Sequence, residues 1–495
     1  MSKENGVSEN EAIPKNYKNR IPMMKVSLSG TMRDGMSAIV DGELGVAIVV
    51  DGDTDRFIGL ITDGDIRRAQ LSSKDHDAPI GDIVNRNVVT VMHGASSKQI
   101  AALFSSVIRV IPILNDLGQV SDLALFDNRM HLPVAEPYLA GRELNYVIDC
   151  ITSGWVSSAG KYIGEFEQLV SEACHAKYGV SATNGTSALH LALLACGIGP
   201  GDEVIVPALT FIAPASTVCH VGAKPVFVDV DRSSWCLDPE QLENLISPTT
   251  KAVIPVHLYG HPAEMDAILD IAKKYKLWVI EDAAEALGAE FKSKPVGSYG
   301  HVAVFSFYGN KTITTGEGGM AVTSDRKLAE KMKLLRDHGM DNNQRYRHSV
   351  LGFNYRMTNL QAAVGVGQME NFEEILQKKI DVAERYSKLL SEVVEITLPS
   401  EVRDGKHSYW MYTVIINREK TNRSRDQILS ELGKQNIEVM PTFIPMNRQP
   451  VFSESKEYPV SEYVGTNGLC LPSFVSLTNS EIVRVADTLA SVVRD

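Results

Sequence analysis

The sequence predicts an α/β protein with a mostly parallel central sheet, a small C-terminal α+β lobe, and a repeated strand–turn–strand unit ahead of both. Three observations carry this. Near-continuous apolar strands alternate with helical segments through most of residues 138–375, the pattern of a parallel sheet buried on both faces. Beyond residue 376 the pattern changes to long amphipathic helices followed by the strand Met411–Ile416. Before residue 128 two similar units follow one another, and neither buries its apolar face alone.

The elements divide the chain into a disordered polar arm over 1–24, the paired module over 25–128, a linker over 129–137, a large domain over 138–375 and a small domain over 376–495. In the paired module, Val46–Val50 and Phe57–Thr62 flank an Asp-Gly-Asp turn, and a helix starts at Asp63. The second copy has Arg109–Leu114, the turn Asn115-Asp-Leu-Gly118, and Gln119–Phe126. In the large domain the strands are Glu203–Pro207, Pro225–Val230, Ala252–Val256, Leu277–Glu281 and His301–Phe305. Ligands of such sheets bind in loops beyond the strands' carboxyl ends.

Composition narrows the function classes. Over 495 residues, 44% are hydrophobic and 22% charged, with a formal net charge of -12. That balance argues against nucleic-acid and anionic-membrane partners. The polar N-terminus lacks a signal-peptide core, and no apolar run is long enough to span a bilayer, so the expected location is cytoplasmic. Six cysteines without a C-x-x-C pair read as buried reduced thiols, with no metal site.

Four local sequences at strand ends carry chemistry. Ser306-Phe-Tyr-Gly-Asn-Lys311 leads into the glycine-rich Thr314-Thr-Gly-Glu-Gly-Gly319. A lysine there can form a Schiff base with an aldehyde cofactor that glycines allow the backbone to approach; a single lysine is otherwise a solvated charge. Asp282 closes the strand Leu277–Glu281, where it either pairs with a protonated ring nitrogen or caps a helix. Asn184-Gly-Thr-Ser-Ala-Leu189 opens an apolar helix, whose first N–H groups with the Thr186 and Ser187 hydroxyls form a phosphate cradle or a simple Ser/Thr cap. Phe211 follows Val204–Leu209, placed to stack on a planar cofactor or to fill the core.

All four occur in one chain in one order: cradle, aromatic, carboxylate, lysine. From about Leu132 onward the sequence resembles the DegT/DnrJ/EryC1/StrS sugar aminotransferases, of the aspartate-aminotransferase (type I) fold dependent on pyridoxal 5'-phosphate (PLP). The resemblance implies that Lys311 carries PLP and shuttles the proton, and that Asp282 pairs with the pyridine nitrogen. It further implies that Phe211 stacks on the ring, Glu285 lies against the cofactor, and Gly185, Thr186 and Ser306 hold its phosphate. Gly352-Phe-Asn-Tyr-Arg-Met-Thr358 is similar to a segment supplied by a neighbouring subunit, so a homodimer is implied, with Asn354 and Arg356 as contacts.

The stretches Ser153–Ser158, Val256–His261, Glu281–Glu285, Phe307–Gly319 and Asn354–Asn359 resemble members that transfer an amino group from L-glutamate to GDP-4-keto-6-deoxymannose, giving GDP-perosamine for lipopolysaccharide O-antigen. Glu285 stands where many broader relatives carry His or Gln. Met440 and Asn447 depart from the family's Arg and His, which leaves UDP- or dTDP-linked keto sugars as the alternative acceptors. A catalytically silent nucleotide-sensing regulator is the alternative of a different class. Residues 25–128 resemble a tandem CBS-domain module whose Thr62 and Asp65 would hold an adenine nucleotide, or merely cap a helix; Ala124 replaces the second copy's Asp.

Overall fold

The computed structural model describes residues 20–42, 44–72, 75–95, 100, 103, 108–125, 131–341, 344–452 and 454–494. The chain divides into two compact units, residues 1–130 and 131–495.

Unit 1 holds two three-stranded sheets. In the first, β1 (Lys25–Ser27) runs parallel to β2 (Val46–Val50), which pairs antiparallel with β3 (Phe57–Thr62). The second repeats that order with β4 (Val91–Met92), β5 (Val110–Leu114) and β6 (Val120–Leu125). Every residue of β2 is buried because its two faces serve two cores. Ala47 and Val49 pack with Met32, Ile39, Ile61 and Ile66, whereas Val46, Ile48 and Val50 pack with Val120 and Leu123 of the second copy. Order begins before the expected end of the arm, residues 1–19 of which lie outside the described residues. Ile21 and Met24 are buried in a helical turn, since two apolar side chains three apart suffice to dock it.

Unit 2 begins inside the stretch read as a linker over 129–137. Leu132 forms a parallel bridge with Ile437. Val134 receives Ser473 N–H at 3.2 Å and gives its own N–H to Glu438 at 3.1 Å. The alternating Leu132 and Val134 are buried, so this stretch behaves as an edge strand despite its prolines.

The large sheet orders β7 (Tyr178–Ala182), β15 (Gly319–Thr323), β14 (Val302–Ser306), β11 (Trp278–Asp282), β10 (Thr250–Val253), β8 (Glu203–Pro207) and β9 (Lys224–Val228). Only β15 runs against the others, so the sheet is mostly parallel. Side chains alternate between two cores. Val302 and Val304 face the helix Gly185–Ala195, while Ala303 and Phe305 face helices Lys161–Ala173 and Asn359–Glu370. A short hairpin, β12 (Glu290–Phe291) and β13 (Lys294–Pro295), follows β11.

The small lobe is a four-stranded antiparallel sheet of β16 (Ile396–Thr397), β17 (Tyr412–Ile416), β19 (Gly468–Leu471) and β18 (Met440–Pro441). No break separates it from the large domain at residue 375. The helix Phe372–Leu390 places Ile375 and Leu376 in the large domain's core and Val382, Ala383 and Tyr386 in the lobe's core. Five of the six cysteines are buried and all are free; Cys219 is exposed. Among the described residues no helix is long and apolar enough to cross a membrane, and no cluster of His, Cys, Asp and Glu fits a metal.

The end of β11 is held by a fully buried carboxylate. Glu281 accepts N–H bonds from Gly297, Tyr299 and Gly300 at 2.9, 3.0 and 2.6 Å, and meets His257 Nε2 at 3.1 Å. Ala263 N–H donates to His257 Nδ1 at 3.0 Å, which puts the imidazole proton on Nε2, facing Glu281. Removing the carboxylate strands three backbone donors in the interior. Glu281→Leu is therefore expected to destabilise unit 2 by about 3–5 kcal/mol, read as a lower urea midpoint; an unchanged midpoint would show that the loop finds other acceptors.

Candidate functional site

The carboxyl ends of β7, β8, β11 and β14 deliver the sequence-selected residues to one region of unit 2. Asn184 caps the helix Gly185–Ala195, its Oδ1 accepting Ser187 N–H at 2.8 Å. The helix is thus capped, but by Asn184 rather than by a Ser or Thr, and the Gly185 and Thr186 N–H groups have no protein acceptor among the described residues. Those orphan donors, with the helix dipole behind them, suit an anion. A Cβ on Gly185 would lie 3.1 Å from that of Ser306, so the cradle and the end of β14 meet there. Gly319, paired with Ser306 in the sheet, backs the cradle so closely that a Cβ would fall 2.2 Å from the Asn184 carbonyl.

Asp282 is the last residue of β11 and buried. Its Oδ1 accepts Ala284 N–H at 3.1 Å, but no helix follows, so it caps none. Burial raises its pKa, and the nearby Lys311 charge pulls the other way. Such a carboxylate lacks the donors that satisfy Glu281 and is set to receive a cationic N–H. Three residues on, Glu285 is also buried; Oε2 accepts Tyr259 N–H at 2.8 Å and Oε1 lies 3.6 Å from Lys311 Nζ. Burial pushes Glu285 up to about 7.

Lys311 is no solvated charge. Its amine sits between Glu285 and the face of Trp410, 3.6 Å from the ring centroid. Burial lowers its pKa, against the pull of Glu285 and Asp282. Phe211 stands 54% exposed beside Phe443, at 5.9 Å between ring centroids, and so does not fill the core. Phe443, Tyr259 and Trp410 continue as near-parallel rings to the lysine.

Two groups of expected residues lie differently. Tyr355 O accepts Thr183 N–H at 2.9 Å, which lays the 352–358 segment beside the cradle. Within this chain, however, Arg356 pairs with Asp337, and Asn354 is exposed in a bridge to Asp337. Neither is seen joined to Lys311, Asp282 or Glu285. Thr62 and Asp65 lie in unit 1, locked in a capping box: Thr62 N–H and Oγ1–H donate to Asp65 Oδ2 at 2.8 and 2.7 Å. Arg68 adds an ion pair to Asp65 at 2.5 Å.

Sequence reasoning missed Trp410, Tyr259 and Phe443. The available signal for the first was His407-Ser-Tyr-Trp410, an aromatic cluster directly before β17. Trp410 donates its indole N–H to Asn310 O at 2.8 Å, and its own carbonyl accepts from buried Lys379 at 3.0 Å. Tyr259 has φ 55°, followed by Gly260 at φ 100°, where a Cβ would approach Ser408 and Tyr409 within 2.7 Å. This strained turn brings the small lobe's entry strand against the site. Asn447, which departs from the family pattern, is buried and donates to Lys456 O and Glu462 at 2.9 and 2.8 Å.

Residues 137–490 match the sequence profile of the DegT/DnrJ/EryC1/StrS aminotransferase family. GDP-perosamine synthase of Caulobacter vibrioides is 47% identical over 364 residues, which is 73% of this chain and 98% of that relative. GDP-perosamine synthase of Escherichia coli O157:H7 is 42% identical over 360 residues, 72% and 98% of the two chains. Among solved structures, S. venezuelae DesV is 33% identical with a TM-score of 0.68, covering 72% of this chain and 95% of that one.

Proposed function

This chain belongs to the DegT/DnrJ/EryC1/StrS aminotransferase family, so it is a PLP-dependent sugar aminotransferase, and on that premise we propose that it transfers the amino group of L-glutamate to GDP-4-keto-6-deoxymannose, forming GDP-perosamine. The observation that carries the choice of sugar is the near end-to-end likeness to GDP-perosamine synthases, above 40% identical over 98% of their length. The residues present fit the cofactor: two orphan N–H donors for a phosphate, a buried carboxylate short of donors for a pyridinium, and a largely enclosed amine whose charge acts on that carboxylate.

When bound, PLP supplies the carbon that accepts the amino group and a ring that spreads the developing charge. Lys311 Nζ would hold the cofactor carbon and, when free, would carry the proton. Asp282 would keep the ring nitrogen protonated, which its shortage of N–H donors suits. Gly185, Thr186 and Ser306 would hold the phosphate, and Phe211, exposed at a strand end, would be free to stack on the ring. Glu285 orients Lys311.

A homodimer completes the site in this reading, with Asn354 and Arg356 serving the neighbouring subunit. Its support is an unpartnered apolar stripe, Leu144, Ile148 and Ile151 on the helix Glu143–Ser153 with Trp155 beyond it, all exposed. Leu351, directly before the shared segment, is 96% exposed. Such an apolar surface is what a second copy would cover.

Residues 25–128 are read as a tandem CBS-like pair taking an adenine nucleotide at Thr62 and Asp65. The repeated parallel-then-antiparallel order of the two sheets supports the pairing. A nucleotide there must compete with the capping box and Arg68.

Incubation with PLP, L-glutamate and GDP-4-keto-6-deoxymannose should yield the amino sugar by mass spectrometry, and Lys311→Ala should retain no borohydride-reducible PLP adduct. No product with wild-type protein, or an adduct persisting in the variant, rejects the substrate or the lysine assignment respectively. Ile148→Asp combined with Leu351→Asp should turn a dimer into a monomer in sedimentation; a monomeric wild type sinks the dimer. ATP should raise the melting midpoint of wild type but not of Asp65→Ala, and equal shifts in both would remove Asp65 from the nucleotide site.

A further inference from the structure

We propose that Glu285 is the proton partner of Lys311, taking a proton from the Nζ ammonium and returning it as the lysine alternates between base and acid. The proposal rests on the transaminase reading, which needs the Lys311 amine uncharged at one stage and charged at the next. In the transfer one Nζ–H bond breaks, leaving its electron pair on nitrogen, and an O–H bond forms on Glu285 Oε1. A charged pair becomes a neutral pair, and no other reactant is needed.

The geometry singles out this carboxylate. Oε2 is anchored by Tyr259 N–H at 2.8 Å, which leaves Oε1 facing Nζ at 3.6 Å. Such distances shorten when the reacting complex forms. Across the amine lies the Trp410 face, which favours the ammonium over the amine. Trp410 is itself fixed at both ends, by its indole bond to Asn310 O and by Lys379 on its carbonyl. The proton therefore has a stable seat on Lys311 and a second seat within reach. Burial raises Glu285 to about 7 and lowers Lys311, so the gap that separates an ordinary carboxyl from an ordinary amine narrows.

The other groups facing Glu285 do not compete for the proton. Asp282 is the neighbouring carboxylate, with a bond from Ala284 and no ion pair to Lys311 among the described residues. Cys236 and Cys470 are pushed by burial to about 12, and the Tyr259 phenol is raised well above its ordinary value, so all three stay neutral near pH 7. A glutamine in place of Glu285 could hold Lys311 by a hydrogen bond but could not accept its proton.

The test uses the full chain loaded with pyridoxamine phosphate, the state in which the lysine is free. Trace acetylation with acetic anhydride across a pH series, read at the Lys311 peptide by mass spectrometry, reports the uncharged fraction of the amine. Glu285→Gln removes the anion, so Lys311 should titrate lower and label several-fold faster at pH 8. Superimposable labelling curves would overturn the proposal.

Melting midpoints give a second readout that does not need the label. The Glu285 pKa in the fold, about 7, lies above its ordinary 4.5. Its contribution to stability is thus full below pH 4.5 and is lost as pH rises towards 7. Gln does not titrate, so the midpoint of Glu285→Gln minus that of wild type should grow across that window and level off above it. A difference that is constant with pH indicates a purely structural glutamate. Neither readout involves a keto sugar, so failure to aminate GDP-4-keto-6-deoxymannose would leave this proposal standing, and its own failure would leave the transaminase standing.

Discussion

Three carboxylates, Glu281, Asp282 and Glu285, are buried within five residues at the end of one strand, and the rest of unit 2 is arranged around how each is satisfied. A buried carboxylate without donors costs several kcal/mol, so the number of donors each one finds separates scaffold from chemistry. Glu281 takes three backbone N–H groups and His257, which satisfies it and fastens the 297–300 loop to the sheet. Asp282 has one N–H, and Glu285 has one N–H and an amine. The alternation of a strand sends Glu281 and Asp282 to opposite faces. One adjacent residue therefore anchors the strand while the other stays unsatisfied toward the cradle.

The small lobe takes part in the same region through aromatic rings. Trp410 and Phe443 belong to lobe segments, Tyr259 and Phe211 to loops of the large sheet, and their rings form one continuous series ending at the Lys311 amine. Tyr259 occupies its left-handed conformation because its N–H is needed at Glu285 while its phenol oxygen accepts Phe443 N–H at 3.0 Å. Strain at this point is offset by two hydrogen bonds that a relaxed turn would lose. Lys379, a buried lysine on the helix shared by both cores, holds the Trp410 and Ser473 carbonyls at 3.0 and 2.6 Å. The lobe thus contributes to the environment of Lys311.

Unit 1 illustrates how one residue pair serves a local purpose that resembles a functional motif. The Thr62 and Asp65 spacing that suggested nucleotide binding is realised as a reciprocal cap on the helix Asp63–Leu71. The same oxygens would be needed by a ribose, so any nucleotide there is bound at the expense of that cap.

The sequence by itself determined the alternating strands, the mostly parallel sheet and the small lobe, because burial on both faces writes unbroken apolar runs into the chain and motifs at strand ends stay local. It also placed Lys311, Asp282, Gly185 and Phe211, each of which sits in a short segment whose backbone form follows from glycine, caps and strand ends. Where prolines suggested a linker, Leu132 and Val134 decided otherwise by pairing with residues some three hundred positions away. Only the tertiary structure chose between the readings of each motif: whether Lys311 is solvated or enclosed, whether Asp282 caps a helix, whether Phe211 is core. It alone brought Trp410, Tyr259 and Phe443 to the lysine. Burial and long-range pairing depend on which distant surfaces meet, and a local pattern does not record that.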